Sequence, residues 1–226
     1  MADRYIRRAE ASGWTLVRLT KSNALVSLCE YTHVIVKREA GGRTYFVIAD
    51  GYVHPGEEAS LSSANAAKYL ATTGPGGGAT LSVKYRGPPE MVYSPVRRET
   101  LRQQWAELSF GSQFATVTLN SIWNSTYTPI QPGTHNILAP DASHANVPTS
   151  GYVAATPGMV GNDTWFPIAL GSSMENSTRY IHVGHLSEGC VTVYQLERWT
   201  ALYNSLIANR VPGTRGRKVG TLVVRK

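Results

Sequence analysis

The residues best placed to do chemistry lie in one stretch, Tyr180-Ile181-His182-Val183-Gly184-His185-Leu186-Ser187-Glu188-Gly189-Cys190-Val191-Thr192-Val193. A thiol attacks a carbonyl well only as the thiolate, and a neighbouring imidazole is the usual means of removing its proton near neutral pH. Cys190 as nucleophile and His182 as base would meet that need if the strand-like runs around them end side by side, facing each other across a tight turn. Gly189 lets the backbone bend sharply and leaves the amides of Gly189 and Cys190 free to point at a developing oxyanion. Ser187 is placed to brace that turn. Spacing alone leaves two other readings open. Both residues could be buried structure, or His182, His185 and Cys190 could be three zinc ligands with Glu188 as an uncommon fourth. No second cysteine stands nearby to favour zinc, so no metal and no cofactor is expected.

The stretch resembles the signature of the L,D-transpeptidase (YkuD-like) family, in which a strand ending Ile-His-Gly is followed by a loop and then Ser-His-Gly-Cys-Ile/Val-Arg/Asn. Ile181-His182 matches the first element, and Ser187, Gly189, Cys190 and Val191 match the second. Upstream, Thr128-Pro129 and Pro132-Gly133-Thr134 with Ile137 resemble the family's Thr-Pro-x-Gly-x-Phe/Tyr-x-Ile segment. The likeness covers about Thr116 to the end. Three departures stand out: Glu188 replaces the second histidine, Thr192 replaces the arginine or asparagine that shapes the donor site, and the loop between His182 and Ser187 is short. The resemblance implies attack by Cys190 on the amide between an L- and a D-residue of a peptidoglycan stem peptide, giving an acyl-enzyme that passes to an amine or to water. His182 would take the thiol proton and return one to the leaving group. Gly184, His185, Glu188 and Thr192 are then candidates for the wall of the substrate site. For His185 an exposed turn position is the favoured alternative.

Several elements must position these groups. Arg179 to Val183 and Val191 to Val193 read as strands, Gln195 to Arg210 as a helix packed through Leu196, Trp199, Tyr203 and Leu206, and Val219 to Val224 as a closing strand. Phe114 to Leu119 and Thr134 to Leu138 add strands, and the polar, proline- and glycine-rich segment from Ala139 to Asp163 suggests a lid or binding loop. Further upstream, Arg97 to Leu108 has helical spacing at Leu101, Gln104, Trp105 and Leu108, so one amphipathic helix is predicted there. Strands are predicted at Trp14 to Leu19, Tyr31 to Lys37, Thr44 to Ile48 and Thr80 to Tyr85, with a hairpin at Gly41-Gly42 and a short helix near Ser63 to Lys68. The fold expected is mainly β, an L,D-transpeptidase-like β-sandwich with two or three helices. It would comprise a β-rich N-terminal region (1–110), as extension or accessory domain, and a catalytic domain (111–226).

Composition narrows the setting. The 226 residues carry a formal charge of +7 spread along the chain, which suits an anionic polymer such as the cell wall, and nucleic acid is not the expected partner. Two cysteines are too few for a disulfide framework, and Cys29, beside the apolar run from Leu25 to Leu28, reads as a small buried hydrophobe. No run approaches the roughly 18 apolar residues of a membrane span. Met1 to Gly13 lacks the apolar region of a secretory signal. Synthesis in the cytoplasm and delivery to the periplasm or wall by another route is therefore expected, as for a secreted antibacterial effector with a secretion-system component or cognate immunity protein as partner. The competing readings are a catalytically inactive wall-binding module, which Glu188 beside the thiol favours through like-charge repulsion, and a cysteine peptidase of other specificity.

Overall fold

The computed structural model describes residues 2–123 and 126–226; Met1, at the head of the polar N-terminal segment, lies outside them. The first seven strands are β1 (Ala2–Ile6), β2 (Trp14–Leu19), β3 (Leu25–Cys29), β4 (His33–Ala40), β5 (Arg43–Ile48), β6 (Glu58–Ser62) and β7 (Leu70–Ala71), with helix α1 (Ser63–Tyr69) before the last. They form one sheet in the order β3-β2-β6-β5-β4-β1-β7. Alternation of apolar and polar residues drives it: Thr44, Phe46 and Ile48 of β5 turn inward while Arg43, Tyr45 and Val47 lie half-exposed. Helix α1 starts where the Ser62 hydroxyl accepts from the amide of Asn65.

The rest of the chain builds a closed barrel. Its strands are β8 (Ala79–Tyr85), β11 (Trp105–Phe110), β12 (Gln113–Thr118), β13 (Gly133–Leu138), β14 (Phe166–Ala169), β15 (Arg179–Val183), β16 (Val191–Val193) and β17 (Lys218–Arg225). They follow the order β11-β12-β16-β15-β14-β13-β17-β8, and β8 pairs with β11 to close the ring. β9 (Glu90–Ser94) and β10 (Glu99–Gln103) form a separate two-stranded ribbon, and helices α2 (Ser150–Ala155) and α3 (Trp199–Ile207) add buried side chains to the barrel's apolar cluster. The protein is thus mainly β with three α-helices among the described residues, and its larger layer is a closed barrel. Among those residues no helix is long and apolar enough to cross a membrane.

Two expectations are corrected. The helix predicted over Arg97 to Leu108 is instead β10 and β11, because Ala106, Leu108 and Phe110 alternate with Trp105, Glu107 and Ser109 and fill the barrel with every second side chain. The division at 110/111 falls in the turn of the β11–β12 hairpin, where Phe110 pairs with Gln113; the barrel begins at Ala79.

Sheet and barrel have separate apolar cores, but Trp14 and Cys29 of the sheet belong to the barrel's. Cys29 is accordingly the buried hydrophobe that its neighbours suggested. Glu30, also buried, is the polar tie: it accepts from Arg8 (2.8 Å) and from the Tyr203 hydroxyl of α3 (2.8 Å), while its carbonyl accepts from buried Arg210 (2.8 Å). A buried charge held this way is costly to orphan. Glu30→Ala is expected to lower unfolding stability by about 3 kcal/mol, read as a drop in the urea midpoint with an unchanged slope.

Candidate active site

Strands β15 and β16 run parallel, with Ile181 beside Val191, His182 beside Thr192 and Val183 beside Val193. Ile181, Val183, Val191 and Val193 enter the barrel core, so Tyr180, His182, Cys190 and Thr192 share the opposite face. Parallel neighbours ordinarily need a crossover of about a dozen residues. Here the pairing is so short that the chain has only about 7 Å to regain, two residues of strand rise, and residues 184–190 suffice. The expected tight turn between facing strand ends is therefore a short parallel return. Cys190 comes to rest beside Tyr180, one step along the face from His182.

The return is braced as Ser187 suggested: its hydroxyl donates to the Cys190 carbonyl (3.0 Å), and its own backbone amide donates to Ser121 Oγ (3.1 Å). Gly189 has φ +83°, and a Cβ there would meet the Thr128 carbonyl at 2.6 Å and Arg179 Nη1 at 2.9 Å. Only glycine passes this point. The upstream Thr128 segment is thus brought against the turn that leads into Cys190.

His182 is buried, and its hydrogen bonds fix its tautomer. Nδ1 faces the Val183 carbonyl (3.0 Å) and must carry the proton, leaving Nε2 to accept from the Thr192 hydroxyl (3.0 Å). The Thr192 hydroxyl has a second acceptor in the Leu186 carbonyl at 3.4 Å. Trp165 stacks on the imidazole at 4.2 Å, and His144 stacks on the far side of Trp165 at 4.2 Å. Among the described residues no hydrogen bond joins His182 to Cys190. Burial pushes the His182 imidazole down to about 4, against the pull of the Val183 carbonyl. The Cys190 thiol is pushed up to about 11, chiefly by burial; backbone amides of Tyr180 and Glu188 and the Arg179 charge oppose the rise, and the Glu188 charge adds to it. The resting pair is neutral thiol and neutral imidazole.

Cys190 opens on a cleft of about 470 Å³, where Trp165, Arg179, Tyr180 and Glu188 are among the lining residues. That volume suits a small ligand or a peptide segment. The segment from Ala139 to Asp163 reaches the site from behind: Asp141 accepts from Asn176 (3.0 Å), Asn176 also donates to the Tyr180 hydroxyl (2.9 Å), and His144 extends the ring stack.

Of the candidate wall residues, Glu188 lines the cleft and Thr192 is buried against His182, whereas Gly184 packs near Tyr152 and His185 lies elsewhere. The exposed-turn reading of His185 is corrected: the residue is 5% exposed. Its Nε2 faces the Tyr194 carbonyl (3.2 Å), its Nδ1 meets Ser94 Oγ (2.7 Å), and its ring stacks on Tyr194 at 3.8 Å. It turns inward because the ribbon β9–β10 covers it, with Gln103 donating to its carbonyl (2.9 Å). Both its nitrogens are engaged away from Cys190, and among the described residues no cluster of three or more metal-ligating side chains forms, so the zinc arrangement is not assembled. Sequence reasoning missed Arg179, Tyr180, Trp165 and His144. The strand starting at Arg179 carried a signal for Tyr180, since the residue two before a candidate base shares its face; strand alternation gave none for Arg179.

No protein-family profile, curated protein or solved structure matches the chain. The geometry of this one cleft therefore carries the functional reading.

Two outcomes follow from the electrostatics. Alkylation of Cys190 by iodoacetamide, followed by peptide mass spectrometry, is expected to be slow at neutral pH and to climb without a plateau until about pH 11. Acid should loosen the fold by a separate route. The unfolded imidazole of His182 titrates near 6.5 and the folded one near 4, so the unfolded state binds the proton first. Stability is whole above 6.5 and falls as pH drops toward 4, by on the order of 3 kcal/mol. Urea midpoints measured across that window should decline with acidification.

Proposed function

We propose that this chain is a cysteine-nucleophile acyl-transfer enzyme acting on peptidoglycan stem peptides, an L,D-transpeptidase or L,D-carboxypeptidase. The observation that carries this reading is the placement of Cys190, buried but lining a cleft, one step along the same strand face from an imidazole held in a single tautomer. The match of Ile181-His182 and Ser187, Gly189, Cys190, Val191 to the family signature supports the substrate class.

In this mechanism the substrate amide displaces water from the cleft, and Cys190 Sγ attacks its carbonyl carbon as the thiol proton passes to His182 Nε2. For that transfer the Thr192 hydroxyl turns its hydrogen to the Leu186 carbonyl, freeing the Nε2 lone pair. The oxyanion forms by the Gly189–Cys190 amides. Collapse returns the proton to the departing amine and leaves a thioester. A second amine or water then gives its proton to His182, attacks the thioester and releases the thiol. Because both groups rest neutral, the proton moves with the attack rather than ahead of it.

A second reading has its own support. Glu188 beside the thiol and the Nε2–Thr192 bond both hold the site in an unreactive state, as a wall-binding module would tolerate. Mass spectrometry of purified muropeptides after incubation with the wild type, Cys190→Ala and His182→Gln separates the two. Turnover by the wild type is expected, none by Cys190→Ala, and a loss of about 100-fold or more for His182→Gln. Unchanged muropeptides with the wild type would favour the binding module.

A further inference from the structure

Among the described residues, Arg179 is one of two charged side chains that line the cleft without an ion pair, Glu188 being the other. Its guanidinium packs beside Gly189 and lines the cavity with Cys190, yet among the described residues it makes no side-chain hydrogen bond or ion pair. Arg8, Arg38, Arg86 and Arg97 are each matched with a glutamate. Glu188 lines the same cleft, and among the described residues it forms no ion pair with Arg179, so the thiol feels two separate charges of opposite sign. Glu188 is exposed and well screened by water, whereas Arg179 is half-buried and screened less. A planar fork of free N–H donors facing a cavity suits an anion with two oxygens. The fork packs against Gly189, the residue next to Cys190 in the chain, where a Cβ would meet Arg179 Nη1 at 2.9 Å.

We propose that Arg179 is a carboxylate-binding residue of the Cys190 cleft, selecting substrates that carry a carboxylate close to the carbonyl under attack. This deepens the acyl-transfer reading and rests on Cys190 as its nucleophile. The site is then an anion site with a thiol at its edge, and Thr192, buried against His182, is not needed for that task.

Two alkylating agents with the same reactive carbon test it. Iodoacetate and iodoacetamide each form an S–C bond as the C–I pair leaves with iodide, the thiol proton going to buffer; they differ in offering a carboxylate or a neutral amide. Rates at Cys190 are read by peptide mass spectrometry at one fixed pH, with buried Cys29 as internal control. In the wild type, labelling by iodoacetate should saturate with concentration while labelling by iodoacetamide stays linear. R179Q should lower the iodoacetate-to-iodoacetamide ratio about five-fold, R179K should retain part of it, and E188Q should raise it. Linear iodoacetate kinetics in the wild type, or an equal ratio in wild type and R179Q, overturns the proposal, even if muropeptides are processed. A saturable, Arg179-dependent ratio upholds the carboxylate site even if muropeptides are untouched, in which case the stem-peptide reading alone fails.

Discussion

Three side-by-side residue pairs between β15 and β16 govern the rest of the site. Because the strands are parallel and in register from Ile181 with Val191 to Val183 with Val193, the odd-numbered residues fill the barrel and the even-numbered ones share the outer face. A slip of one residue in β16 would send Cys190 and Thr192 into the apolar core and Val191 out of it. The four valine and isoleucine side chains therefore set where His182, Cys190 and Thr192 stand. The same register sets the length of the return, and the return leaves no room for a side chain at Gly189.

Around that pairing the protein buries an uncharged thiol and an uncharged imidazole. Trp165 covers the imidazole, the Val183 carbonyl and Thr192 hydroxyl satisfy both of its nitrogens, and Cys190 lines the cleft. Burial dominates the electrostatics of thiol and imidazole alike, pushing both toward their uncharged forms. The full charges are those of Arg179 and Glu188, which line the cleft. Such an arrangement concentrates its electrostatic influence on whatever enters the cleft.

The local part of this was legible in the residues. Strands β15 and β16, the helical Leu196, Trp199 and Tyr203 face, the closing strand and the buried setting of Cys29 follow from short-range periodicity and composition. What was not legible depends on distant partners. Leu101, Trp105 and Leu108 satisfy a helical period as well as two strands, and only the pairing of β11 with β8 and β12 decides between them. The direction of β16 relative to β15 leaves no trace in fourteen consecutive residues. His185 is buried by Ser94 and Gln103, more than eighty residues away in sequence, so a turn that reads as exposed is roofed by the β9–β10 ribbon.

The neutral resting state of Cys190 bears on how the protein would survive oxidising surroundings. Peroxides and disulfides react with thiolate, not thiol. A sulfur held mostly protonated, with its partner imidazole uncharged beneath an indole, presents little of the species that oxidants consume. Its exposure to oxidants therefore follows whatever moves that proton: alkaline pH or, on the acyl-transfer proposal, its passage to His182 while a substrate carbonyl is attacked.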